Sequence, residues 1–531
     1  MKQNKWLFWW TALFTAVCFD FLFWNKAPGI SFPLFVLILA GGLILLGRRS
    51  ETRLARVNFL VAAVALLLAT ASSFRDEPFS RLVTIAASLG LLLIVFVTFF
   101  TGNWVHYRII DYVAAFFKMI IAALSRAIFV FTHNSANKSE DDSSVGEQST
   151  SRRVLISVLR GILIAIPVVF ILGALLTSAD PIFSQQVTSI FDFDNLGEYI
   201  VRLVIILLFA YFYTGALLHA VHPEKEELRP DPCNKWLKPF IGWTESITVL
   251  TAVNLLYVAF VTVQFRYFFG GNANIQIDGY TYAEYARRGF GELVMVAVLS
   301  LLIYLALGAV VKENNHRQRV VFSCLSILMK GLVLVILFSA FQRMLLYEQA
   351  YGFTRLRIYV FIFIAWLAVL LVSTIILEAI GRRQRFPLVL LGVMIGFSLS
   401  FGLLNIDGLI VRQNFTRLTA GYELDTAYFS QLSSDAVPSM IDYYKEADFP
   451  TEIKTALGEE LACRHEAFVS DQPSVWQSYH FGKARAYRLL ESNQALWPKN
   501  TFFITDGIRM IDTPAGSRPC DAYLYPEFPL D

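Results

Sequence analysis

Gly291-Glu-Leu-Val-Met-Val-Ala-Val-Leu-Ser-Leu-Leu-Ile-Tyr-Leu-Ala-Leu-Gly-Ala-Val-Val311 carries a single charged residue, Glu292, at its very edge. Wound into an α-helix it rises about 1.5 Å per residue and spans the ~30 Å of a hydrocarbon layer, with its backbone polar groups satisfied internally. Ten further stretches read the same way, at 6–24, 29–46, 57–74, 82–100, 154–177, 199–221, 246–263, 322–342, 358–380 and 387–404. With 56% hydrophobic and 16% charged residues and a mean hydropathy of +0.53, the chain lies outside the balance of soluble domains. The expected fold class is therefore an all-α polytopic membrane protein with about eleven transmembrane helices. A net charge of +3, with basic residues scattered between apolar runs, implies no nucleic-acid partner. Lys2 and Lys5 precede a first apolar run too long and bulky for a cleaved signal peptide, so that run reads as an uncleaved span. Cys18 follows Val17, which is not the small residue that lipoprotein processing needs.

Basic loops stay on the cytoplasmic side. Lys and Arg concentrate in alternate connections: the N-terminus, 48–56, 108–153, 225–238, 312–319 and 382–385. The loop 178–198 has no Lys or Arg but carries Asp180, Asp192, Asp194 and Glu198. The N-terminus is thus expected inside and the C-terminus outside. One apolar stretch, 104–131, complicates the count. Its Arg108, Asp111, Lys118, Ser125 and Arg126 fall on one helical face, as in an amphipathic helix lying in the membrane interface. Were it to span, every later loop would change sides. Residues 134–153, rich in Ser, Asp and Glu, read as a cytoplasmic linker.

The transmembrane domain is expected to occupy 1–404. From 405 to 531 the chain turns acidic, with 11 Lys and Arg against 18 Asp and Glu. Helical periodicity at 423–445, 451–469 and 475–491 and a β-branched stretch at 501–511 predict a small, mainly α-helical extracytoplasmic domain with a strand. It holds Cys463 and Cys520, and an oxidising compartment permits a disulfide between them. Two free buried thiols are the alternative, since spacing does not test geometry.

Three polar, aromatic segments stand at the outer ends of spans. The first runs from Gln264-Phe-Arg266-Tyr to Gly279-Tyr-Thr-Tyr-Ala-Glu284-Tyr-Ala-Arg287-Arg288-Gly289-Phe. The second is Arg343-Met-Leu-Leu-Tyr347-Glu348-Gln-Ala-Tyr351-Gly352-Phe-Thr354-Arg355-Leu-Arg357. The third holds Asn405, Asp407, Arg412, Asn414, Arg417 and Asp425, and ends in Leu432-Ser-Ser-Asp435-Ala-Val-Pro438. In these words the sequence resembles an uncharacterised family of bacterial polytopic membrane proteins, of the domain-of-unknown-function 4153/4173 type. The resemblance covers roughly the second half of the chain. It implies a bacterial inner-membrane location and brings no activity, substrate or cofactor.

Arginine's planar fork holds carboxylate or phosphate at two points, so such segments can either staple helix ends together or bind an anionic ligand. Convergence of all three segments would build an outward-facing polar cavity from Arg266, Glu284, Arg287, Arg288, Arg343, Glu348, Arg355, Arg357, Asp407, Arg412, Asn414, Asp425 and Asp435. Lys330 is the one basic residue near mid-depth of a span, and Glu378 is expected too close to the end of its own span to be its mate. Asp20, Arg160 and Arg202 are expected to snorkel from span ends. Asp192 and Asp194 form too short a pattern to outweigh solvated loop acids, the seven histidines show no ligand spacing, and no catalytic motif occurs. No catalytic residue, metal or cofactor is expected.

The first functional expectation is a non-enzymatic envelope protein, sensing or scaffolding through its outer domain. Its partners would be membrane lipids and an extracytoplasmic protein or anionic lipid-linked ligand. The alternatives are a membrane enzyme acting on a lipid-linked anionic substrate, with Arg287, Arg288, Arg355 and Arg357 as clamps and Asp425 or Glu284 as base, and a transporter built around Lys330.

Overall fold

The computed structural model describes residues 5–49, 55–99, 102–132, 196–221, 240–269, 289–312, 315–446, 449–470, 475–497, 501–505, 508–513 and 516–520, with a few positions between 165 and 180. The expected span at 154–177 falls largely outside them. Nine of the described helices are long and apolar enough to cross a membrane. They are α1 (Lys5–Phe23), α2 (Ser31–Arg49), α4 (Pro78–Val97), α6 (Leu196–Val221), α7 (Trp243–Phe269), α8 (Phe290–Val310), α9 (His316–Tyr351), α10 (Arg355–Ala379) and α11 (Phe386–Leu403). A shorter apolar helix, α3 (Arg56–Ala71), coincides with a tenth expected span. The stretch expected to lie flat forms α5 (Ile109–Thr132) and is not among the nine.

The chain divides into two compact units, Met1–Leu66 with Leu89–Trp104 and Ile109–Arg229, and Leu67–Ser88 with Val105–Arg108 and Pro230–Asp531. In the first unit α6 packs along both α1 and α5. A Cβ at Gly215 would lie 2.2 Å from the Ala123 carbonyl oxygen, so a side-chain-free position is what lets α5 and α6 approach. Asp20 and Arg202, expected to snorkel separately, instead form a forked pair, with the Arg202 Nε 3.1 Å from Oδ1 of Asp20. Such mutual pairing satisfies the polar atoms of both groups.

In the second unit α9 packs against α7, α8 and α10, and α10 against α11. Buried Leu250, Leu301, Phe322, Met329, Val333, Ile336 and Leu371 form the helical core. The C-terminal part is helical and then sheet: α12 (Ile406–Thr419), α13 (Val437–Lys445), α14 (Thr451–Ser470) and α15 (Phe481–Ser492), followed by β1 (Thr501–Thr505), β2 (Ile508–Thr513) and β3 (Gly516–Pro519). Where one strand was expected, three form an antiparallel sheet in the order β1-β2-β3. The expected helix at 423–445 is instead two 3-10 turns leading to α13, because Pro438 is suited to a first helical turn and not to an interior. Cys463 and Cys520 are joined by a disulfide with Cα atoms 5.6 Å apart. The core of this cap contains Ile410, Phe415, Val437, Leu461, Leu490, Trp497 and Ile511, and it is continuous with Ile358 of α10 and Phe401 of α11. Cap and helix ends therefore share one hydrophobic core.

The expectation that Glu378 lies too close to the end of its own span to be the mate of Lys330 is overturned. The α9–α10 hairpin turns at Gly352, whose φ of 79° is a left-handed conformation that glycine adopts without strain. The two antiparallel helices then bring Lys330 and Glu378 to the same depth. Lys330 Nζ lies 3.8 Å from the Glu378 carboxylate, with both side chains fully buried. Glu378 also accepts from the Tyr304 hydroxyl at 2.5 Å and pairs with Arg383 at 2.7 Å. Lys330 has no hydrogen-bond partner, but its ammonium sits 3.6 Å from the centre of the Tyr304 ring. The two charges are thus unequal in what they leave behind. Lys330→Met leaves Glu378 with Arg383 and Tyr304 and should change the unfolding midpoint little. Glu378→Gln strands a buried ammonium and should cost about 3–5 kcal/mol. Thermal unfolding in detergent reads both, and equal losses from the two variants would contradict this assignment.

Candidate functional site

Ser72-Ser-Phe-Arg-Asp-Glu77 connects α3 to α4, and its sequence dictates its shape. Glu77 precedes Pro78 and caps α4, accepting from the backbone of Phe79 at 2.9 Å and of Ser80 at 2.6 Å. Tyr359 of α10 donates its hydroxyl to the same carboxylate. This loop meets the cap through Asp435, whose carboxylate accepts from the backbone of Asp76 at 2.8 Å and lies 3.4 Å from that of Glu77. Ser434 donates to Asp76 at 2.7 Å. On the far side of the loop, His480 contacts the Ser72 carbonyl at 3.2 Å, the Phe481 backbone donates to Ser73 at 2.9 Å, and Phe481 stacks on Phe74.

Asp407 ties in the remaining helix ends. Wholly buried, it receives the Arg355 guanidinium in a two-pronged pair, Nε at 2.8 Å and a terminal nitrogen at 2.5 Å, and accepts from the Ser433 backbone at 2.6 Å. Asn405 caps α12 by accepting from Gly408 at 2.8 Å, while its amide donates to the Asp435 carbonyl at 2.9 Å. Arg464 of α14 donates to the carbonyls of Phe429, Leu432 and Ser433, which closes the turn carrying Asp435. Four helix ends, those of α3, α4, α10 and α11, and the cap thus converge on one buried polar junction.

The other predicted residues fall around it. Arg357 lies over the Tyr347 ring at 4.3 Å and donates to the Gly352 carbonyl. Asn414 pairs with both backbone groups of Phe353, at 2.9 Å each. Arg412 donates to Ser439 at 3.3 Å, Glu348 is buried, and Asp425 is exposed and caps the turn at Tyr428. Arg343 lies against Gly289. The second and third segments therefore meet. For the first, Glu284, Arg287, Arg288 and the Arg266 side chain lie outside the described residues, as do Asp192 and Asp194. Arg355 and Arg357 hold partners within the chain, as staples would, while Arg412 is exposed and reaches only the Ser439 hydroxyl. Sequence reasoning missed Asp76, Glu77, Tyr359, Arg464 and His480. The one available signal was the dense Ser-Ser-Phe-Arg-Asp-Glu-Pro punctuation between two spans. Among the described residues no group of His, Cys, Asp and Glu is arranged to hold a metal ion.

Burial pushes the Asp435 carboxyl up to about 6, against the hydrogen bond from Asp76 and the nearby Arg75 charge, which lower it. Burial also holds the His480 imidazole below its ordinary value, against Asp76, which raises it.

The profile of a family described as Domain of unknown function (DUF4153) matches residues 62–443. The chain belongs to this family. The match begins well before the segments that carried the resemblance and takes in both halves of the junction, the 72–77 loop and the turn at 433–435, while His480, the disulfide and the sheet lie beyond it. No curated protein and no solved structure matches the chain.

A carboxyl whose folded pKa is raised adds stability as pH falls through about 6, fully so below the ordinary 3.8. Between about pH 8 and about pH 4, the stability of the native protein relative to Asp435→Asn should therefore rise by roughly 2 kcal/mol. His480, Asp76, Asp407, Glu77, Arg75, Arg81 and Lys483 are common to both proteins, so their own titrations cancel in the difference except where Asp435 itself acts on them. Denaturation in detergent at matched pH measures it, and parallel profiles would show that Asp435 does not titrate in the junction.

Proposed function

We propose that this family member is a non-enzymatic bacterial inner-membrane protein that couples the state of an extracytoplasmic cap to its transmembrane helices. The observation carrying the reading is the junction of Arg355, Asp407, Ser433, Asp435 and the 72–77 loop. A cap merely tethered to the membrane needs one connection, whereas this one is bonded to the ends of helices from distant parts of the chain. A rearrangement of the cap has no route around those bonds. Arg355 and Arg357, the described clamps of the enzyme alternative, hold partners within the chain, and Lys330, on which the transporter alternative rests, is fully buried.

Sidedness draws support from three directions. Basic residues favour an inner N-terminus. Three apolar helices, α1 to α3, precede the 72–77 loop, which would bring that loop outside, and the cap packed on it goes with it. The disulfide suits the same compartment. Between that loop and the cap, α4 and α6 to α11 make seven crossings, so returning to the same side needs one more. Either α5 or 154–177 supplies it, but not both; with 154–177 as a span, α5 lies in the interface.

Two measurements test the proposal. Alkaline phosphatase fused after Asp531 should be active and a green fluorescent protein at the same place dark; the reverse would remove the cap from the outer side. Reducing the Cys463–Cys520 bond, which joins residues 57 positions apart, loosens the cap without altering any residue of the 72–77 loop or of α10. Hydrogen exchange should then speed up at 72–80 and 355–360, and unchanged exchange there would show that cap and helices are uncoupled.

A further inference from the structure

Among the described residues, the sheet order β1-β2-β3 leaves β1 at an edge. Edge strands are ordinarily guarded by charge, proline, a bulge or a covering element. β1 is Thr501-Phe-Phe-Ile-Thr505, with neither charge nor proline, and every residue but Phe502 is exposed. Ile504 is 72% exposed and Phe503 39%. Such a strand presents both backbone groups and apolar side chains to an incoming chain.

The register fixes which backbone groups those are. The Cys520 backbone donates to the Arg509 carbonyl at 2.9 Å, so Arg509 bonds toward β3 and its neighbours Ile508 and Met510 bond toward β1. Their partners on β1 are Thr505 and Phe503. Bonding alternates along a strand, so the N–H and C=O groups of Phe502 and Ile504 face the open edge. The sequence around Phe503 is self-complementary. A second β1 laid antiparallel, Phe503 opposite Phe503, sets Phe502 against Ile504 on both sides of the axis and Thr501 against Thr505 beyond. The outward backbone groups of Phe502 and Ile504 then meet one another. Aromatic with β-branched pairs and Thr with Thr pairs are among the favourable cross-strand combinations, and the arrangement closes under two-fold symmetry. Ile504 would come to rest beside Phe502, which already packs on the cap core.

We propose that the cap self-associates through β1, two copies sharing one continuous antiparallel sheet with Phe503 on the two-fold axis. In that register Phe503 faces its own copy as a non-bonded pair, with Cα atoms about 4.5 Å apart, within reach of a disulfide. Ile504 does not face its own copy. The test uses the full chain in its native membrane, with Cys18, Cys233 and Cys324 changed to Ser and the Cys463–Cys520 bond kept. Under mild oxidation Phe503→Cys should yield a species of twice the 60.1 kDa chain mass, and Ile504→Cys should not. Native mass spectrometry of the otherwise unaltered protein should show dimer, with Ile504→Lys lowering its fraction at least tenfold. A monomeric Phe503→Cys, equal cross-linking by Ile504→Cys, or an unaltered protein that is monomeric throughout would overturn the proposal. An adduct of a different mass would also overturn it, showing that the edge takes an extended segment of another protein.

Discussion

A carboxylate with no access to water must be surrounded by donors, and Asp407 draws its donors from separate parts of the chain. Arg355 arrives from the start of α10 and the Ser433 backbone from the turn before α13. Removing either would leave an ionised group unsatisfied in a poor solvent, at a cost that exceeds most single contacts in a protein. Asp407 is therefore satisfied only when helix ends and cap are assembled together. The Asp435 contacts to the 72–77 loop, the Asn405 cap and the Arg464 closure all depend on that register. Their hydrophobic counterpart is the continuous core running from Ile358 and Phe401 into the cap.

The helices were legible because their signal is local. A run such as 291–311 needs no partner to be read, and ten of the eleven expected spans coincide with helices among the described residues. The dense segments at 343–357 and 405–438 were also legible, since charged and aromatic residues at span ends stand out from apolar neighbours. Beyond the Cys463–Cys520 bond, which it offered as one of two alternatives, the sequence did not reveal pairing. Glu378 was misjudged because its depth depends on where the α9–α10 hairpin turns and on α9 extending well beyond its most apolar stretch, from His316 to Tyr351. The loop at Ser72–Glu77 and His480 were passed over because each is unremarkable in its own window and takes meaning only from a partner hundreds of positions away. The second and third strands were missed for a related reason: short strands carry little periodicity, and register came from pairing.

The same arginines admitted two readings in sequence, ligand clamp or staple, and geometry separates them. Arg355 is forked onto a buried carboxylate, Arg357 covers an aromatic ring and a carbonyl, and Arg464 is held by three carbonyls. An anion-binding site needs cations whose charge is uncommitted. These are engaged in holding helix ends and the cap in one arrangement, which is what the proposed coupling of cap and helices requires.

The most direct test is a double-mutant cycle on Arg355→Gln and Asp407→Asn, with unfolding of the membrane-reconstituted protein as the readout. If the pair is the keystone, each single change costs about 3–5 kcal/mol and the double costs no more than the worse single, a coupling of at least ~3 kcal/mol. Additive losses would mean that Arg355 and Asp407 act independently, and the account of the junction would fail.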